Sequence, residues 1–243
     1  MRVLFYGDSN TYGFDPRDLF DDRYPASVRW TDRLAEMLNN IENPAPADGG
    51  PVNPAPTDGG PVNPAPTDGG PVNPAPADGG FIKAPAGREK WEVVARGQNG
   101  RCVPVMPQMA GYIRSMIREV WPVDRFAVML GTNDLLQTHR PDAALPAAQM
   151  RQLLLFLQKE FPEMERMLIA PLILFESLPN GAYFRRCREQ SCRLAQFYEK
   201  IALETGSMYV DAGKWKIDLA EDAVHFSEKG HAQFAKEMVE YFK

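Results

Sequence analysis

Short apolar strands alternate with amphipathic helical stretches along most of this chain, and that alternation leaves few folds open. Residues 3–6, 91–95, 126–130, 167–171 and 208–210 read as five strands. Between them, Trp30, Leu34, Met37, Leu38 and Ile41 recur at spacings of three and four. Met150, Leu153, Leu154, Leu157 and Phe161 do the same, as do Phe184, Cys187, Ser191, Leu194, Tyr198 and Ile201. A last amphipathic stretch carries Ala235, Met238, Val239 and Phe242. Such spacing marks helices with one buried stripe. Strand–helix alternation requires right-handed crossovers and a parallel sheet covered on both faces. The expectation is an α/β fold: a three-layer α/β/α sandwich around a five-stranded parallel sheet, one domain spanning residues 1–243.

One segment breaks the pattern. From Asn43 to Gly80 the chain repeats Asn-Pro-Ala-Pro-(Ala/Thr)-Asp-Gly-Gly with Pro-Val joining the copies, which start at Asn43, Asn53, Asn63 and Asn73. Half of the 22 prolines lie here. Pro-Ala-Pro favours polyproline II and Asp-Gly-Gly favours a turn. Only Val52, Val62 and Val72 offer large apolar side chains, too few to offset the ordering of the backbone. The segment therefore reads as a semi-extended or disordered insert at 43–80. The topology sends it out from the sheet edge opposite the first strand's exit, and a long loop is tolerable there. It is expected not to act as a lid, although its reach allows contact with a neighbouring subunit in a homo-oligomer.

The remaining bounds are brief. A net charge of −5 argues against nucleic acid and anionic membrane partners. No apolar run approaches the length of about 18 residues that suggests a membrane span. The N-terminal apolar run is too short for a secretion signal and leads straight into a chemistry-bearing turn, so a cytoplasmic protein is expected. Cys102, Cys187 and Cys192 have no disulfide or zinc spacing, and no cofactor or metal is expected.

Four segments fall at strand ends on one edge of the expected sheet. Gly7-Asp8-Ser9-Asn10 follows the first strand and presents a serine at a turn where backbone N–H groups point outward. A serine hydroxyl is a weak nucleophile until a base removes its proton, and a histidine serves best when a carboxylate orients it. Asp222-Ala223-Val224-His225 supplies both: a separation of three lets Asp222 hold one ring nitrogen while the other faces Ser9. His139, beside Arg140 and Pro141, reads as a surface residue, and His231, three residues before Phe234, as a structural one. Gly97, in Arg96-Gly97-Gln98-Asn99-Gly100-Arg101, can present an unhindered backbone N–H to a developing oxyanion. Asn133, in Gly131-Thr132-Asn133-Asp134, can add a side-chain amide, whereas Asp134 is expected to cap the following turn.

Together these segments resemble the four blocks of the SGNH (GDSL) hydrolase superfamily, in particular its arylesterase-like branch. The likeness extends to Val28-Arg29-Trp30-Thr31 and Val210-Asp211-Ala212-Gly213, and covers the chain apart from the repeat. Asn10 stands where the family's eponymous motif has leucine. The resemblance implies a flavodoxin-like sheet and a serine esterase. Ser9 would be the nucleophile, His225 the base and Asp222 its orienter. Ser9 N–H, Gly97 N–H and the Asn133 amide would form the oxyanion hole. Asp8, Asn10 and Trp30 would shape the substrate pocket. It further implies short acyl esters as substrates, with transfer to alcohols beside hydrolysis.

Residues 14–29 leave the same edge and carry Phe14, Phe20 and Tyr24 among charged side chains. Aromatics amid polar groups suit sugar stacking, so a carbohydrate O-acetylesterase is the alternative enzyme. A catalytically silent binding module on the same scaffold is the non-enzyme alternative.

Overall fold

The computed structural model describes residues 1–18, 22–42, 91–175 and 181–242, with side chains left aside at 40–42. The strands are β1 (Arg2–Gly7), β2 (Glu92–Gly97), β3 (Arg125–Met129), β4 (Glu165–Ala170) and β5 (Met208–Asp211). They form one parallel sheet in the order β2-β1-β3-β4-β5. The helices are α1 (Ser9–Tyr12), α2 (Trp30–Glu42), α3 (Ala110–Glu119), α4 (Thr132–Leu136), α5 (Ala144–Glu160), α6 (Ala182–Thr205) and α7 (Glu228–Met238).

Alternation along β1 sorts the two layers. Val3 and Phe5 face a core with Trp30, Leu34 and Leu38 of α2 and with Phe234, Ala235 and Met238 of α7. Leu4 and Tyr6 face the opposite core, built from α3, α5 and α6 through Ile113, Leu153, Leu157, Leu194 and Tyr198. Each strand is therefore apolar on both sides, as a parallel sheet buried between helices requires. Phe5, Trp30 and Phe234 pack ring against ring at 4.8 Å, an arrangement that adds to the area they bury.

Several element ends differ from expectation. β1 and β2 run on to Gly7 and Gly97, because the two glycines pair with each other in the sheet. Leu130 and Pro171 lie just past their strands. The last helix ends at Met238, and Val239–Phe242 continues it as a 3-10 turn that keeps Val239 and Phe242 buried. Helix α3 joins β2 to β3, a connection that must cross a face of the sheet. The expected insert at 43–80 lies outside the described residues, as do Phe20 and the side chain of Ile41.

The chain runs from β1 to β2 on one side and then to β3 on the other. β1 thus sits at the point where the strand order reverses, and the crevice above its C-terminal end is where such sheets take ligands. Gly7, Gly97 and Met129 are level across β1, β2 and β3. Glu92, the first residue of β2, pairs with Arg2 at the opposite edge.

Candidate active site

The exit from β1 depends on glycine. A Cβ on Gly7 would fall 2.0 Å from Thr11 Oγ1, so only glycine lets α1 fold back onto the strand. Asp8 caps α1 by accepting the Asn10 N–H at 3.1 Å. Burial pushes the Asp8 carboxyl up to about 6, against the pull of the Asn10 N–H and of His225. Ser9 is the first residue of the helix, and Gly13, left-handed at φ 85°, ends it.

The second half of the site comes from the loop before α7. Ala223 holds φ at 56°, a sparsely populated region for a residue with a Cβ. Its surroundings enforce this: Ala223 N–H donates to the Ala220 carbonyl, and Ala220 N–H donates to the His225 carbonyl at 2.8 Å. The resulting turn lets one Asp222 oxygen accept the Val224 and His225 N–H groups, both at 2.9 Å. The other oxygen meets His225 Nδ1 at 2.6 Å. Burial alone would raise the Asp222 carboxyl, but the bonds from the His225 ring and the two amides outweigh it and bring it down to about 2.

His225 Nε2 lies 2.9 Å from Ser9 Oγ. An ionised carboxylate only accepts, so Nδ1 carries the ring proton and Nε2 of the neutral ring is the acceptor for the serine O–H. Ser9, His225 and Asp222 thus form one hydrogen-bonded chain. The Phe14 ring packs against the imidazole, with centroids 4.6 Å apart.

Asn133 lies in the first turn of α4, after β3. Its amide donates to the Arg101 carbonyl at 3.1 Å. Asp134 does not cap its helix as expected. It accepts the Val103 N–H at 3.1 Å and ties α4 to the segment after β2, and burial pushes its carboxyl up to about 6. Gly97 forms the floor under α1: a Cβ there would fall 2.1 Å from the Tyr12 amide nitrogen. In the turn that follows, Gly100 is exposed and left-handed at φ 71°. Beside this turn a cleft of about 520 Å³ is lined by Tyr6, Arg101, Cys102, Met109 and Tyr112, among others.

Three residues expected to line the pocket do not face it. Asp8 and Trp30 are 1% exposed and Asn10 7%. The Trp30 Nε1–H donates to the Asn10 carbonyl at 2.9 Å, and the Asn10 amide bonds to the backbone of the His225 loop. They hold the site from beneath. Tyr24, expected to offer a stacking face, is 2% exposed and packs against His231 with Arg17 over its ring. The Phe14–Arg29 excursion is tied down instead, by Arg17 to Glu228 at 2.8 Å and by Asp22 to Tyr12 and Asn99. Of its described aromatics, Phe14 is the one beside His225. His139 is exposed and His231 fully buried, as their neighbours in the sequence suggested.

Comparison with known proteins agrees with this architecture. A model of the GDSL-like lipase/acylhydrolase family matches residues 66–233, a range that holds Gly97, Asn133, Asp222 and His225 and leaves Ser9 outside. The structure of the M. smegmatis aryl esterase superposes with a TM-score of 0.66 at 21% identity, covering 99% of this chain and 97% of that one. A carbohydrate acetylesterase from Sinorhizobium meliloti gives 0.67 at 19% identity, over 99% and 97%. An acetyl-xylooligosaccharide esterase from Geobacillus gives 0.60 at 17%, over 98% and 92%. At such identities the likeness is one of fold. No curated protein matches the chain in sequence.

Proposed function

The chain belongs to the GDSL-like lipase/acylhydrolase family, whose members are carboxylic-ester hydrolases, and on that premise we propose that Ser9, His225 and Asp222 act as a catalytic triad on short, acetyl-type esters. The observation that carries this reading is the continuous hydrogen-bonded chain from Ser9 Oγ through both His225 nitrogens to Asp222.

In the first step Ser9 Oγ attacks the ester carbonyl carbon while its proton passes to His225 Nε2. The electron pair of the C=O bond moves onto oxygen. Asp222, held ionised, stabilises the imidazolium that results and keeps the ring in place. The oxyanion collects hydrogen bonds from Ser9 N–H, from the second hydrogen of the Asn133 amide, and from the turn after β2. Gly97, the last residue of β2, is the expected donor there, and Gly100 in the turn that follows is the other glycine N–H. Collapse expels the alcohol, which takes the proton from His225 and leaves an acyl-serine. Water then attacks the acyl carbon as His225 takes its proton, the bond from that carbon to Ser9 Oγ breaks, and Oγ recovers the proton from His225 as the acid leaves; an alcohol attacking instead would take the acyl group.

A short acyl group suits a nucleophile that is itself buried. Sugar acetates are the second reading within this chemistry. Phe14, half-buried against His225, supplies one aromatic face for a sugar ring, and carbohydrate acetylesterases share the fold.

Ser9→Ala tests the assignment. Turnover of 4-nitrophenyl acetate and labelling by a fluorophosphonate should both vanish, with the thermal transition intact. Retained turnover overturns the nucleophile. A wild-type protein that neither turns over esters nor takes the label is a binding module. Comparing acetylated sugars with aryl esters of increasing chain length separates the two substrate readings.

A further inference from the structure

Asn10 does not touch the reacting atoms, yet its side chain spans the base. Its amide Nδ2 donates to the Val224 carbonyl at 3.1 Å, and its Oδ1 accepts the Phe226 N–H at 2.9 Å. These two groups flank His225, so one side chain grips the backbone on both sides of the imidazole. Asn10 is also the neighbour of Ser9 in α1, and its own N–H is held by Asp8. From below, Trp30 Nε1–H fastens its carbonyl at 2.9 Å, and the Trp30 N–H in turn donates to His231 Nδ1 at 3.3 Å.

The loop needs such a grip. Residues 222–225 carry a left-handed alanine, and Asp222 secures the turn only to itself. Besides the His225–Ser9 bond itself, the Asn10 pair joins the backbone on either side of His225 to the nucleophile's own helix. Both partners are backbone groups, and with Asn10 buried water is a poor substitute for either bond. We propose that Asn10 is a positioning residue that sets the His225 Nε2 to Ser9 Oγ distance by bridging the Val224 carbonyl and the Phe226 N–H. The inference rests on the triad reading above. It differs from the substrate-lining role that the resemblance implied for Asn10, because its amide nitrogen and its amide oxygen are both bonded to the backbone of the His225 loop.

Leucine is the informative replacement, being of similar size and apolar. A position that only fills the core would accept leucine at no cost, whereas a bridge cannot be made by it. In the full chain, Asn10→Leu should lower kcat on 4-nitrophenyl acetate by about 10- to 100-fold, the scale set by a displacement of about 1 Å at a reacting pair. KM should stay within about twofold, and the rate of fluorophosphonate labelling should fall in parallel with kcat. The downfield proton resonance of the His225 ring N–H should lose its protection from exchange. If Asn10→Leu does not fold, Asn10→Ala is read in the same way. A kcat within twofold of wild type, or an effect confined to KM, overturns the positioning role while leaving the triad standing. An active Ser9→Ala would instead remove the triad itself.

Discussion

The Asn133 side-chain amide donates to the carbonyl oxygen of Arg101 at 3.1 Å, and this bond joins the helix after β3 to the turn after β2 across the end of β1. An amide nitrogen carries two hydrogens in one plane. Anchoring one on Arg101 fixes the direction of the other, which is what a preorganised oxyanion donor needs.

Asn133→Ala is therefore expected to cost on the order of 10²–10³ in kcat, the magnitude for loss of one such donor. Stability should fall by only about 1 kcal/mol, the net worth of the bond to Arg101. Steady-state kinetics beside a thermal melt check both. A loss of less than about tenfold in kcat would overturn the oxyanion role proposed for Asn133.

A second expectation concerns acid. His231 is fully buried, and burial, followed by Arg33, lowers its pKa from 6.5 to about 4. The folded value lies below the unfolded one, so the unfolded chain takes up the proton first on acidification. The stabilisation from neutral His231 is complete at pH 7, is lost as pH falls from 6.5 toward 4, and totals on the order of 3 kcal/mol. Asp8 and Asp134, raised to about 6 by burial, act in the opposite direction over the same range. The clean measurement is the difference from His231→Asn, whose side-chain oxygen can still accept the Trp30 N–H. The wild-type advantage at pH 7 should shrink at pH 5. An advantage equal at both values would show that His231 titrates normally.

A third concerns the repeat. β2 begins at Glu92, level with Arg2 at the sheet edge away from Ser9. At about 3.3 Å per residue the six residues of β1 put some 20 Å between that edge and Ser9. Deleting residues 43–80 should leave folding and the turnover of small esters unchanged. Loss of turnover in a folded deletion variant would make the segment part of the site.

Much of the layered fold was legible because buried stripes leave periodic traces. The stripe of α2 repeats every four residues, and Trp30, Leu34 and Leu38 are all buried. Helix α3 was not among the stripes read from the sequence, although Ile113, Met116 and Ile117 have helical spacing and are buried, because its short run is interrupted by Gly111 and charged residues. The pairing of Asp222 with His225 followed from a spacing of three. What spacing could not show is the left-handed Ala223 that makes the turn possible. No local preference of alanine points to it.

The pocket expectations failed for a different reason. Asp8, Asn10 and Trp30 lie near Ser9 in the chain or in its motifs, and nearness in sequence says nothing about which way a side chain turns. Here the polar groups turn inward to satisfy buried backbone, as burial demands. Asp134 likewise had a nearer partner in space, the Val103 N–H, than the helix end it was expected to cap.

Residue order alone showed which segments are strands, which stripes the main helices bury, and which serine, histidine and carboxylate have matching chemistry, since all of these follow from local periodicity and side-chain type. The packed structure alone decided the 2.9 Å meeting of Ser9 with a histidine 216 residues away, and the use of Asn10 as the bridge between their segments. Contacts of that kind depend on where two distant backbones come to rest, and on which buried N–H and C=O groups are then left to be satisfied.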